Sequence, residues 1–83
     1  MGAATIEVTV AFFADLRRFL GRGADGPQRY ILHAGATVAD LLATIGIAAD
    51  NEVTTAVNGE LATRETTLAD GAEVMLLNPM EGG

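Results

Sequence analysis

Residues 5–13 read Thr5-Ile6-Glu7-Val8-Thr9-Val10-Ala11-Phe12-Phe13, with apolar side chains recurring at every second position. A period of two is typical of a β-strand that buries one face. The even-numbered residues carry most of the apolar surface, so we expect that face to lie in the core. We therefore predict a first strand over residues 5–13 with its odd-numbered face turned outward.

The residues that follow change to helical spacing. Apolar residues recur at i, i+3 and i+4, which predicts a short helix over Ala14–Leu20. The next letters, Gly21-Arg22-Gly23-Ala24-Asp25-Gly26, match a dinucleotide-binding fingerprint. That fingerprint must follow a strand and open a helix, whereas this stretch follows a helix and leads into a strand predicted over Gln28–Leu32. We interpret it as a loop.

The main helix is predicted after Gly35. Thr37 is a good N-cap residue, and the carboxylate of Asp40 in the first turn favours the positive end of a helix. A single apolar stripe then follows at helical spacing, formed by Val38, Leu41, Leu42 and Ile45. Gly46 is a fitting end for this helix.

Two further strand signals follow the main helix. The residues Val53–Val57 read as a strand that turns at Asn58-Gly59, a strong hairpin signal, into a short strand through Leu61. A turn at Asp70-Gly71 precedes a last strand over Glu73–Leu77. The order strand, strand, helix, strand, strand predicts an α+β fold, in which a mixed sheet of four to five strands wraps around one main helix.

The length of 83 residues predicts one small domain. We assign residues 1–77 to this domain and residues 78–83 to a flexible C-terminal tail that ends in Gly82-Gly83. Two residues without side chains let a backbone enter a narrow channel. The carboxylate of Gly83 is therefore the predicted reactive group.

The charge of the chain indicates which kinds of partner it can bind. Acidic residues outnumber basic ones 11 to 5 and give a net charge of -6, which opposes binding to nucleic acid or an anionic membrane. A basic partner surface would suit this chain better. All five basic residues are arginines, so the chain cannot be modified on a lysine of its own. No apolar run approaches the roughly 20 residues of a membrane helix, and no export signal is visible, so we expect a soluble cytoplasmic protein.

The chain offers little for catalysis or metal binding. It contains no cysteine, and its one histidine, His33, lacks a second histidine to complete a metal site. No pair of nucleophile and base can be proposed either. We therefore predict no catalytic residue, no metal site and no bound cofactor.

One surface is a candidate protein interface. The outward face of the first strand ends in Phe13, and one face of the last strand carries Met75 and Leu77, with Leu61 in the neighbouring hairpin. If the main helix covers the opposite face of the sheet, these four side chains form an exposed apolar patch. The alternative is that the short helix or the loops cover them. The tail begins beside this patch.

A group of short motifs, taken in order, resembles a known family. They are Ala11-Phe12-Phe13-Ala14-Asp15-Leu16-Arg17, Ala36-Thr37-Val38-Ala39-Asp40-Leu41-Leu42, Val57-Asn58-Gly59-Glu60-Leu61, Leu68-Ala69-Asp70-Gly71-Ala72-Glu73-Val74 and Gly82-Gly83. This pattern resembles the ubiquitin-like sulfur carriers, which include the small subunit of molybdopterin synthase and the thiamin-pathway sulfur carrier. The helix after the first strand is closer to the synthase branch. The resemblance implies a ubiquitin-like β-grasp fold.

The resemblance also implies a chemistry. An ATP-dependent, E1-like adenylating enzyme would join AMP to the Gly83 carboxylate, and a sulfur donor would convert the acyl adenylate to a thiocarboxylate. The thiocarboxylate would then be delivered to a sulfur-accepting synthase subunit. In the synthase branch, the positions of Phe13, Leu61 and Leu77 contact the partners. We add Met75 from the patch and the tail residues Pro79, Met80 and Glu81 to the expected contact surface.

Three alternatives remain open. The same activation could end in an isopeptide bond to a lysine of a target protein, which would make the chain a protein modifier. The stretch Leu76-Leu77-Asn78-Pro79-Met80-Glu81 departs from the aromatics and paired prolines usual in the synthase subunit, so the carrier could serve thiamin or another sulfur-containing metabolite. The chain could also be a plain interaction domain with incidental terminal glycines.

Overall fold

The computed structural model of the protein describes residues 4–13, 26–48 and 52–77. Within these residues, five strands and one helix follow in the order β1 (Thr5–Phe12), β2 (Gln28–His33), α1 (Val38–Ile45), β3 (Thr54–Val57), β4 (Glu60–Ala62) and β5 (Glu73–Leu77). The strands form one sheet in the order β2-β1-β5-β3-β4. β1 is parallel to β5, and the other neighbouring pairs are antiparallel. The predicted α+β class and mixed sheet are confirmed.

The predicted elements agree with the observed ones to within one residue at each compared end. β1 stops at Phe12 and not at Phe13, β2 extends to His33, and β3 begins at Thr54. The predicted short helix over Ala14–Leu20 and the predicted tail over residues 78–83 lie outside the described residues. Both remain predictions.

The core lies between α1 and one face of the sheet. The even-numbered face of β1 is buried as predicted, and Val8 and Val10 have no exposed surface. Val38, Leu41 and Leu42 of α1 are also buried, while Ile45 is half-buried against the same cluster. Among the described residues, the cluster comprises Ile6, Val8, Val10, Phe12, Leu32, Ala36, Val38, Leu41, Leu42, Ile47, Leu68, Ala72, Val74 and Leu76. Its burial removes apolar surface from water and stabilises the fold.

The start of α1 is capped as its sequence predicts. The Thr37 hydroxyl accepts from the Asp40 N–H, and an Asp40 carboxylate oxygen accepts from the Thr37 N–H at 3.0 Å. The N–H groups of Val38 and Ala39 donate to the carbonyl oxygens of Thr66 and Arg64, each at 2.9 Å. The donors of the first turn therefore have protein partners and are not available to an anion. At the other end, Gly46 adopts a left-handed conformation with φ of 103°.

The capping carboxylate makes stability depend on pH. The Thr37 N–H, the Thr37 hydroxyl and the nearby His33 together hold the pKa of Asp40 below its usual value. Because its folded pKa is lowered, Asp40 stabilises the fold above its unfolded pKa, and this contribution is lost as pH falls through the folded pKa. We predict that D40N is less stable than the unchanged protein at pH 7 and that the difference disappears in acid. Urea unfolding of both proteins across the acid range tests this, and a difference that stays constant with pH would contradict it.

Candidate partner interface

The outer face of the sheet, opposite α1, carries a continuous apolar row. Met75 of β5 lies opposite Ala11 of β1 on one side and Ala56 of β3 on the other, and Ala56 lies opposite Leu61 of β4. Directly opposed residues in neighbouring strands point to the same face and lie in contact range. We call Ala11, Met75, Ala56 and Leu61 the outer row. It crosses four strands at one level of the sheet.

Ala56 shows how this row is built. It is only 6% exposed, yet it does not belong to the core cluster behind the sheet. Its small side chain lies between Met75 and Leu61, which are both much larger. The row therefore has a small, nearly buried residue between two larger apolar side chains.

Phe13 and Leu77 extend the row toward the end of β5. The Phe13 N–H donates to the Leu76 carbonyl oxygen at 3.1 Å, which continues the β1–β5 ladder and places Phe13 beside Leu77. Leu77 also lies opposite Thr54 of β3. We call Phe13, Leu61, Met75 and Leu77 the apolar patch. It occupies the end of the sheet at which β5 leads into residues 78–83.

The exposure of these side chains agrees in part with the expectation. Phe13 is 42% and Leu61 81% exposed, whereas Met75 and Leu77 are half-buried. The patch therefore consists of two exposed side chains, Phe13 and Leu61, with the half-buried Met75 and Leu77 between them. Sequence reasoning missed Ile31 of β2, which is 62% exposed and lies on the outer face opposite Glu7. The run Tyr30-Ile31-Leu32 is apolar throughout, so its pattern does not show which residue points outward.

Asn58 fixes the position of the hairpin that carries Leu61. Asn58 and Gly59 both have positive φ, of 52° and 87°, as a two-residue hairpin turn of type I′ requires. The Asn58 side-chain oxygen accepts from the Glu73 N–H at 2.9 Å, and the Asn58 N–H donates to the Glu73 carbonyl oxygen at 2.7 Å. The turn is thus bonded to the start of β5. Leu61 is thereby held on the same level of the sheet as Met75, with Ala56 between them.

Polar and charged side chains on the same face of the sheet border the apolar patch. One register step from the outer row, Thr9 of β1 lies opposite Arg29 of β2 and Glu73 of β5, and both charged residues are exposed. Charges at the rim of an interface set the orientation and association rate of a partner more than its affinity. Glu73 is the nearer charge to Met75, and the net charge of the chain is -6. A complementary partner surface would place a basic group there.

The described residues show neither a metal site nor a membrane-spanning helix. They contain no group of three or more histidine and acidic side chains placed to hold a metal ion. His33 is exposed at the end of β2, with its Nε2 atom 3.7 Å from an Asp40 carboxylate oxygen. No helix in residues 4–13, 26–48 and 52–77 is long and apolar enough to cross a membrane. The apolar patch is the candidate site of this part of the chain.

The sequence profile of the ThiS family matches residues 10–83, which include the outer row, the apolar patch and both terminal glycines. The chain belongs to the ThiS family. This confirms the resemblance to ubiquitin-like sulfur carriers drawn from the sequence motifs. No curated protein sequence matches the chain.

Solved structures similar to this ThiS-family chain agree with that assignment. The small archaeal modifier protein 1 of Haloferax volcanii is 26% identical with a TM-score of 0.73, over 90% of this chain and 99% of that one. A Pyrococcus furiosus protein assigned as molybdopterin converting factor subunit 1 is 29% identical with a TM-score of 0.71, over 90% and 99% of the two chains. The ubiquitin of Caldiarchaeum subterraneum has a TM-score of 0.61 at 15% identity, over 96% and 100%. The fold is a ubiquitin-like β-grasp.

Proposed function

We propose that this protein is a sulfur carrier whose Gly83 carboxylate is adenylated by an E1-like enzyme and then converted to a thiocarboxylate. The observation that carries the proposal is the ThiS-family match, which continues through Gly82 and Gly83. The apolar patch supports it, because the patch lies at the end of β5 from which residues 78–83 continue. Docking at the patch would bring the chain terminus within reach of the docked enzyme.

The chemistry follows from the weakness of a carboxylate as an electrophile. A Gly83 carboxylate oxygen attacks the α-phosphorus of ATP and releases pyrophosphate, giving a mixed anhydride with AMP. A donor that delivers sulfur at the oxidation level of sulfide then attacks the carbonyl carbon, and AMP leaves with the original oxygen. The product is a thiocarboxylate on the chain and involves no net redox change. In these reactions the protein is the substrate that the partner enzyme modifies. The partner binds ATP, and the protein uses no bound cofactor of its own.

We further propose molybdopterin or tungstopterin synthesis as the pathway. The support is the likeness to molybdopterin converting factor subunit 1 of Pyrococcus furiosus, since a protein named as one subunit has at least one other. The sulfur-accepting partner would then be a larger synthase subunit that docks on Phe13, Leu61, Met75 and Leu77 and receives the tail through Pro79, Met80 and Glu81. We propose the cytoplasm as the place of these reactions.

The likeness to small archaeal modifier protein 1 supports a second function. A modifier uses the same adenylate but transfers the Gly83 acyl group to the amino group of a target lysine. The absence of lysine from this chain excludes side-chain-linked chains of the protein itself. Conjugates that survive denaturation in cell extracts would identify this function, and their masses would place the linkage at Gly83.

The direct test is the intact mass of the protein after incubation with the adenylating enzyme of its own organism, ATP and sulfide. We expect one terminal oxygen to be replaced by sulfur, with fragmentation locating the change at Gly83. Omission of ATP is the matched control and should leave the mass unchanged. An unchanged mass in the presence of an adenylating enzyme that is active on this chain would contradict the carrier chemistry.

The apolar patch should matter for binding and not for stability. We predict that L61A weakens binding to the adenylating enzyme by roughly 30-fold, about 2 kcal/mol, because a few apolar side chains that lose their contact with water on binding carry much of the binding energy. I31A is the matched control, since Ile31 is also exposed but lies on β2 outside the patch. Titration calorimetry of both variants measures the effect. Equal affinities of the two variants for the adenylating enzyme would contradict the proposal that the apolar patch is the binding surface.

A further inference from the structure

Arg29 places a positive charge on the outer face of the sheet, among acidic side chains of the neighbouring strands. Arg29 is exposed and lies opposite Thr9 of β1, which in turn lies opposite the exposed Glu73 of β5. Glu7, two residues before Thr9 on β1, is exposed on the same face. Opposite charges on neighbouring strands stabilise a sheet. A positive charge at position 29 therefore suits its surroundings.

This charge lies within the span of the C-terminal residues. Six residues, 78–83, follow the last residue of β5, and at about 3.3–3.6 Å per residue they span at most roughly 20 Å. Glu73 lies four residues before Leu77, about 14 Å along the strand, and Arg29 lies two strands to the side, about 10 Å. The direct distance from Leu77 to Arg29 is thus roughly 17 Å. The acyl carbon of Gly83 can reach a side chain at that position.

An activated carboxyl group at Gly83 reacts with amines as well as with sulfur donors. The lone pair of a neutral amine attacks the carbonyl carbon, AMP leaves with the original oxygen, and the amine gives one proton to solvent. Lysine has a pKa of about 10.4, so a small neutral fraction is present near neutral pH. The arginine guanidinium stays protonated in proteins and offers no such lone pair. The two cations therefore differ in their reaction with an acyl adenylate.

We propose that Arg29 is a selectivity residue, which places a positive charge within reach of the activated Gly83 carbonyl in a form that this carbonyl cannot acylate. A lysine at position 29 would carry the same charge but would capture the terminus in an internal amide. With arginine there, the acyl group stays free for the sulfur donor. The inference rests on the proposed activation of Gly83 and adds a requirement on the surface of the chain itself.

The tether between β5 and Gly83 makes such capture fast. Two groups joined by a short tether meet at an effective concentration in the millimolar range. An internal amine would therefore compete with a sulfur donor whenever the partner enzyme does not hold the terminus. The lysine side chain also covers part of the distance with its own four-carbon stem.

The full chain with a thioester at Gly83 tests the proposal without any adenylating enzyme. Thiol cleavage of a fusion to an intein yields this thioester, which is also an activated acyl group. R29K introduces a single lysine, because the sequence contains none. T5K is the matched control, since Thr5 is exposed on the same face but lies four residues before Thr9. By the same spacing, position 5 lies roughly 28 Å from Leu77, beyond the span of six residues.

We expect R29K to form an internal amide about tenfold or more faster than T5K at pH 8. Intact mass records the loss of the thiol, and fragmentation places the new amide between Gly83 and position 29. The rate should not change with protein concentration, because both groups belong to one chain. The unchanged protein should form no amide at position 29. Equal rates for R29K and T5K, whether both slow or both fast, would overturn the proposal.

The enzymatic reaction separates this role of Arg29 from the carrier function. With the adenylating enzyme, ATP and sulfide, we expect R29K to divide between thiocarboxylate and internal amide, whereas the unchanged protein gives thiocarboxylate alone. Full sulfur incorporation by R29K without any amide would overturn the role of Arg29 and leave the carrier function in place. A lack of sulfur on every variant would overturn the carrier function, and this role with it, whatever the thioester rates.

Discussion

Removal of Gly82 and Gly83 is expected to abolish thiocarboxylate formation and to leave the free energy of unfolding unchanged. The chemical reason is that the truncated chain ends at Glu81, whose side chain is too bulky for a channel that admits glycine. The stability should not change, because every residue of the described core cluster lies at or before Leu76. Intact mass after the ATP-dependent reaction measures the first effect, and urea unfolding measures the second.

Two comparisons make this truncation informative. Binding of the truncated chain to the adenylating enzyme should fall little, because the apolar patch is intact. Loss of sulfur incorporation with retained binding would therefore assign the chemistry to the terminus and the affinity to the sheet. Full sulfur incorporation by the truncated chain would show that the reactive group lies elsewhere, and it would also remove the basis for a modifier.

The largest effect on stability is expected from L41A. Leu41 has no exposed surface and belongs to the stripe of α1 that packs on the sheet. Truncation of a buried leucine costs about 2–5 kcal/mol through lost transfer energy and the cavity left behind. Alanine is a better helix former than leucine, so the loss can be attributed to packing and not to helix propensity. A small domain with roughly 5–15 kcal/mol of stability would lose a large part of it.

L61A provides the matched control for this core substitution. It removes the same atoms from a side chain that is 81% exposed, so we expect a change within about 0.5 kcal/mol. Urea unfolding of both variants at neutral pH measures the difference. Comparable destabilisation by the two substitutions would mean that Leu61 is buried in solution, and the apolar patch would then lose its most exposed member.

The local elements could be predicted because their signals are short in range. Alternation fixed the buried face of β1, the pair Thr37 and Asp40 marked the start of α1, and Asn58-Gly59 marked the hairpin. Each depends on residues within a few positions of one another, where backbone geometry and side-chain chemistry act directly. The observed boundaries differ from these predictions by at most one residue.

The relations between distant strands could not be obtained in the same way. Nothing in the local pattern of Glu73–Leu77 shows that β5 lies between β1 and β3, yet this placement aligns Ala11, Met75 and Ala56. The partial burial of Met75 and Leu77 follows from neighbours on other strands. The exposure of Ile31 was missed because its neighbours Tyr30 and Leu32 are apolar as well, so hydrophobicity alone does not separate the two faces of that strand.

The place of β5 in the sheet has a mechanical consequence for a protein that is held by its end. β5 is hydrogen-bonded along its length to β1 on one side and to β3 on the other. These bonds lie across the strand, so tension applied beyond Leu77 loads both ladders in shear, with the bonds sharing the force and not opening one after another. If the proposed partner enzyme holds the residues beyond Leu77, the anchor that resists its pull spans the middle of the sheet.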